Sequence, residues 1–185
     1  MSDLVSRVSG DMNSLQKILS KIPGFKGYVD RTNRRAADKI LRETVANHFE
    51  EQWRRLSGIE ANMANQGDLA HIQDLERAAL KLRQFIDRAR TASYGYAGFF
   101  DAIKINQDEL ETVYQYDLAM LQMVDEVTRA IDNVEASIGT DGMQAAINNL
   151  ISQAQKCLDV FNRRTETMIG GVSDAASTTS TPPQP

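Results

Sequence analysis

Between Gln107 and Ile138 the chain places Val113, Asp117, Met120, Val124, Val127, Ile131, Val134 and Ile138 at alternating steps of four and three. A half-buried strand repeats every second residue. Steps of three and four instead mark the seam of a helix packed on other helices, as in a coiled coil. No Gly or Pro interrupts the stretch before Gly139, so the spacing predicts one helix over 107–138, about 48 Å long at 1.5 Å per residue. One seam position, Asp117, is a carboxylate. A buried acid is costly unless paired, so Asp117 is expected to meet an Arg, Lys or Tyr and to set register. Tyr94, Tyr96, Tyr114, Tyr116 or a base of the third helix are the candidate partners; a functional carboxylate is the second reading.

A seam of this length needs companions, and the chain supplies them. Val5, Val8, Met12, Leu15, Leu19 and Ile22 form one stripe on a first helix over 3–21, stopped by Pro23-Gly24. A second helix follows Asp30 as N-cap and reaches Ala64, with Leu41, Val45, Phe49, Trp53, Leu56, Ile59 and Met63 on one face. A third, capped by Asp68 and ending near Arg90, carries Ile72, Leu75, Ala79, Leu82, Ile86 and Ala89. The fifth, after the turn 139–142 with Asp141 as cap, aligns Met143, Ile147, Leu150, Ala154, Cys157, Phe161 and Met168 before Gly170-Gly171 stops it. Mostly short connections favour an antiparallel arrangement. The expectation is an all-α antiparallel bundle of about five helices over 1–170 and a disordered Ser/Thr/Pro tail over 171–185.

The function classes narrow next. No apolar run approaches the roughly 20 residues that cross a bilayer, and MSDLVSRVSGDMNSL has acids and polar residues where a signal peptide has its apolar core. A single cysteine, Cys157, rules out an internal disulfide framework. Together these predict a cytoplasmic protein. A net charge of −4 speaks against general nucleic-acid binding. A di-iron bundle needs two Glu-x-x-His pairs and two further Glu, whereas His71 follows Asp68 and His48 follows Val45 at that spacing. Cys157 sits on the apolar face between Ala154 and Phe161, the setting of an inert thiol. Gly95 and Gly98 lack phosphate-loop spacing. No metal, cofactor or enzymatic activity is expected.

The remaining signal is spatial. If consecutive helices alternate in direction, the first and third connections share one end. Phe25 and Tyr28 lie in one, Tyr94, Tyr96, Phe99 and Phe100 in the other. Lys17, Lys21, Lys26, Arg31, Arg34, Arg35, Lys39 and Arg42 run towards the same end against Asp30 and Asp38, while the opposite end gathers acids such as Glu50, Glu51, Asp68, Asp125 and Asp141. Two readings stay open. The aromatics plug the bundle end, with the bases paired to acids. Alternatively, Phe25, Lys26, Tyr28, Arg31, Arg34, Arg35, Tyr94, Tyr96, Phe99 and Phe100 form a contact surface for a protein partner, anchored by aromatics and Arg.

At Ile22–Tyr28 (IPGFKGY) and Gly95–Ala102 (GYAGFFDA) the chain resembles uncharacterised all-helical bacterial proteins, over about residues 20–138. The resemblance implies a helical bundle and a bacterial origin, and carries over no activity and no site residues. The functional expectation is a non-enzymatic interaction or scaffolding module. The alternative is peripheral binding to an anionic membrane surface through the first helix, whose C-terminal half is basic, and the same basic end of the bundle. Self-association is a further option through Leu118, Ile151 and Leu158, apolar residues beyond the stripes.

Overall fold

The computed structural model describes residues 15–28, 33–92, 99–100 and 107–177, with side chains as far as residue 170 except that of residue 107. The chain is all-α, and the described residues contain no strand. We number the helices α1 (15–21), α2 (Arg34–Asn65), α3 (Ile72–Thr91), α4 (Gln107–Ala136) and α5 (Met143–Ser177). None of the described helices is long and apolar enough to cross a membrane.

The chain divides into two compact units: unit 1 is residues 1–41, 92–118 and 162–185, and unit 2 is residues 42–91 and 119–161. Unit 2 is a four-helix bundle with an apolar core. Leu56, Leu82, Val127, Ile131, Ile147 and Leu150 are all wholly buried. Phe85 links α2, α3 and α5, its ring centroid 4.4 Å from that of Phe49 and 5.8 Å from that of Phe161. Surface pairs give the helix order. Arg90 bonds Glu50 while Arg83 lies over the Trp53 ring, so α2 and α3 run antiparallel. Gln144 bonds Asp74 and Lys81 bonds Gln155, so α3 and α5 lie side by side and parallel. Arg55 bonds Asp132 and Glu135, both at 2.5 Å, which places α4 beside α2. Consecutive helices of the bundle therefore alternate in direction.

The α2–α3 turn is a Schellman motif: Asp68 N–H donates to the Met63 carbonyl and Gly67 N–H to that of Ala64, with Gly67 at φ +79°. Arg42, 2 % exposed, closes the far end of α3 by donating to the carbonyls of Ala89 (2.6 Å) and Arg90 (3.4 Å). A helix leaves its last carbonyls without internal partners and its C-terminus partly negative, and a buried guanidinium satisfies both.

Several boundaries differ from expectation. The first turn of α3 hangs from the His71 carbonyl and that of α5 from Gly142, so Asp68 and Asp141 fall short of the cap positions. Asn33 holds that position for α2, since its carbonyl accepts from Ala37; Asp30 lies outside the described residues. On α1, Ile18 and Ile22 are buried and Leu19 is 40 % exposed, one position off the expected stripe. Gly170-Gly171 does not stop α5, which runs to Ser177. Glycine inside a helix costs about 1 kcal/mol relative to Ala, a weaker barrier than Pro, and the first proline beyond is Pro182. The expected tail therefore begins inside a helix, and residues 178–185 lie outside the described part.

Candidate functional site

Unit 1 is organised around polar atoms. Tyr28, Asp38, Asp117 and Arg164 come from the first connection, α2, α4 and α5, and each is 2 % exposed or less. The Arg164 guanidinium donates to Asp117 at 2.6 Å and to Asp38 at 2.7 Å. It also donates to the Tyr28 hydroxyl at 3.2 Å, and that hydroxyl donates to the second Asp117 oxygen at 2.7 Å. Its third nitrogen reaches the Met168 sulfur at 3.1 Å. The planar fork of Arg suits such a bridge, because it presents several fixed donors at once.

The backbone of the connection is fastened from two sides. Arg34 donates to the Tyr28 carbonyl at 2.8 Å, and Tyr28 N–H donates to the Tyr114 hydroxyl at 2.7 Å. Gly27 lies between at φ +76°, and a Cβ there would stand 2.9 Å from the Tyr114 oxygen. Only glycine meets both demands at low cost.

Aromatic rings enclose these groups. Tyr28 stacks on Tyr114 with centroids 5.2 Å apart, receives the edge of Phe25 at 5.4 Å and meets Phe100 at 5.7 Å. Phe99 packs edge-on against Phe100. The connections before α2 and before α4 thus meet, as alternating helices require.

Electrostatics follow from this burial. Desolvation pushes the Asp117 carboxyl above the usual aspartate range, against the pull of Arg164. Burial and the neighbouring Asp117 charge hold the Tyr28 phenol well above its ordinary value, and burial raises Tyr114 as well. Both phenols remain protonated donors at neutral pH.

The ten residues expected at a contact surface separate into three groups. Phe25, Tyr28, Phe99 and Phe100 are buried, at most 3 % exposed, so in this conformation their rings face protein and cannot anchor a partner. Arg34 is buried too, turned inward by the Tyr28 carbonyl. Lys26 and Arg35 are exposed, and Arg31, Tyr94 and Tyr96 lie outside the described residues. The chain's net charge of −4 belongs to unit 2, since acids and bases are equal in number in unit 1. Of the residues considered for self-association, Leu158 is buried while Leu118 and Ile151 are half-buried.

Asp117 has partners of the expected types but not the expected identities: Tyr28 and Arg164 hold it, and Tyr114 binds the Tyr28 backbone instead. The stripes read by hydrophobicity passed over Arg164 and Asp38, although both stand at stripe spacing. Arg164 is the step between Phe161 and Met168, and Asp38 precedes Leu41 by three.

Outside unit 1, Cys157 donates to the Gln153 carbonyl, and burial pushes its thiol up to about 12. His48 is exposed and lies 3.9 Å from Glu51. Among the described residues no three His, Cys, Asp or Glu side chains gather in a metal-binding group. The chain matches no family model, no curated protein and no solved structure.

Proposed function

We propose that the protein is a non-enzymatic helical interaction module that contacts a protein partner through unit 1. The exposed bases Lys26 and Arg35 form the rim of that contact, over the Phe25, Tyr28, Phe99 and Phe100 cluster. The observation that carries the reading is the meeting of two connections remote in sequence, with Tyr28 and Phe100 rings 5.7 Å apart. Such convergence builds one compound surface from two loops, and loops on a rigid scaffold are where binding residues concentrate. Lys17, Lys21 and Lys39 of the same unit are also exposed, so the chemistry that fits is an acidic protein segment. Charges at a rim steer encounter and set specificity.

Affinity capture with the tagged chain tests this. Lys26→Glu combined with Arg35→Glu is expected to lower recovery of captured protein at least about tenfold, by replacing attraction with repulsion. Lys156→Glu, an exposed reversal on α5, should leave recovery unchanged. Equal capture by both variants, with helical circular dichroism intact, overturns the reading. Salt-sensitive retention on anionic vesicles would point to a lipid surface instead.

A further inference from the structure

We propose that unit 2 carries a docking surface of its own, on the α2–α3 face around Leu80, and that it seats a basic protein segment bearing an apolar anchor. Leu80 is 64 % exposed, a large apolar side chain that the core of the unit leaves in solvent. On α3, Glu76 and Arg83 flank it at four and three residues, so all three share one helical face. On α2, Trp53 and Glu60 stand seven residues apart, which puts them on one face as well. The antiparallel register brings the two faces together. The Arg83 guanidinium lies 5.4 Å from the Trp53 ring centroid at one end, and Glu60 meets the charge of Glu76 at the other. Leu80 therefore stands between an aromatic–arginine pair and a pair of carboxylates.

The charges say what covers it. The neighbouring bases already have acids: Arg83 pairs with Asp87 at 3.4 Å, Arg77 with Asp74 at 3.0 Å and Arg54 with Glu50 at 2.9 Å. Among the described residues no ion pair reaches Glu60 or Glu76. One Glu60 oxygen, Oε1, is shut off from solvent and has no hydrogen-bond partner among the described residues. Burial first, then the Glu76 charge, raises the Glu60 carboxyl above its ordinary range. A lysine or arginine set between the two acids supplies the missing donor and offsets their repulsion. The net charge of −4 carried by unit 2 draws such a segment in. Trp and Arg are enriched among the side chains that anchor protein contacts, and the exposed Leu80 offers a partner's apolar side chain a seat. From Glu76 to Arg83 the patch spans two helix turns, about 10 Å, so its occupant is a short segment rather than a domain. None of these residues belongs to unit 1, so the surface stands or falls apart from the contact proposed above.

Trp53 is the only tryptophan of the chain, and its emission reports occupancy directly. The probe is a short amidated peptide of Lys, Leu and Ala with its leucines on one helical face, titrated into the full chain at low salt. It should shift Trp53 emission saturably, and the same peptide with Gln for Leu should bind at least about tenfold more weakly. Glu60→Gln combined with Glu76→Gln should weaken binding of the Leu peptide at least about tenfold, and Leu80→Ser should weaken it about as much. All three positions lie outside the buried core, and Glu60→Gln keeps the side-chain shape while removing a desolvated charge, so circular dichroism should be unchanged. Glu51→Gln combined with Asp141→Asn takes the same charge from exposed positions elsewhere on unit 2, and should alter binding less than about twofold.

Absence of a saturable Trp53 response overturns the proposal. Equal weakening by the two double variants would reduce the effect to diffuse attraction, and equal binding of the two peptides would remove the apolar anchor; either result overturns it. A chain that dimerises without peptide, and loses the dimer on Leu80→Ser, would make a second copy the occupant and equally overturn the basic segment.

Discussion

Arg42 in unit 2 and Arg164 in unit 1 are the most deeply buried arginines among the described residues, and the two side chains solve different problems. Arg42 in unit 2 donates to the carbonyls of Ala89 and Arg90, groups that the end of any helix presents whatever its sequence. Arg164 in unit 1 needs two particular carboxylates and a phenol, supplied from three other segments. The first arrangement improves a helix end that would exist anyway, while the second decides which segments belong together. A buried polar network is weak evidence for added stability, and its better-attested use is to exclude alternative packings. Unit 2 takes its stability from the volume and area of its core, and unit 1 takes its specificity from complementary charge.

That contrast is most exposed at Phe85, a wholly buried ring of the unit 2 core. Phe85→Ala removes a wholly buried ring touching Phe49 and Phe161, and should cost about 3–5 kcal/mol through lost transfer energy and a residual cavity. Denaturant unfolding followed by Trp53 emission measures it, because the only tryptophan lies in unit 2. A loss below about 1 kcal/mol would mean that ring packing does not sustain this unit. Arg42→Met should cost less, about 1–3 kcal/mol, because it strands the carbonyls of Ala89 and Arg90. If Arg42→Met instead matched the damage of Arg164→Met, capping and charge pairing would be equivalent here and the distinction between the units would fail.

How much of this the sequence carried depends on the physics of each part. The seam of α4 was legible because apolar residues recur at helical steps, and six of its eight positions are buried. Val124 is half-buried, and Ile138 is exposed just beyond the helix end at Ala136. The need of Asp117 for a cation or phenol followed from desolvation alone, but the identity of its partner did not. Tyr28 and Arg164 lie 89 and 47 residues away, and no local pattern encodes that distance. Arg164 was hidden for another reason. Reading stripes by hydrophobicity steps over a charged residue in a buried position, although the spacing from Phe161 to Met168 leaves a place for one. Cap positions slipped by one to three residues because a backbone carbonyl can open a helix without the side chain that usually marks its start. The burial of Phe25, Tyr28, Phe99 and Phe100 was not legible, because a ring in a connection is equally good as a lid and as an anchor, and only packing decides between them.

The smallest effect at neutral pH is an alkaline one, and it separates the units by spectroscopy. All five tyrosines lie in unit 1, while Trp53 and Cys157 lie in unit 2. Burial raises Tyr28 well above its ordinary value and raises Tyr114 as well, so the folded state holds these phenolic protons more tightly than the unfolded chain does. The stability this contributes is complete below about pH 10, where unfolded tyrosine titrates, and declines as pH rises beyond it. Stopped-flow jumps from pH 8 to about pH 11 should therefore abolish the tyrosine near-ultraviolet circular dichroism before Trp53 emission shifts. Cys157, whose thiol is pushed up to about 12 and is buried besides, should stay protected from iodoacetamide over the same interval. Simultaneous loss of tyrosine signal, tryptophan environment and thiol protection would show that the phenols of unit 1 and the phenylalanines of unit 2 sustain one indivisible core.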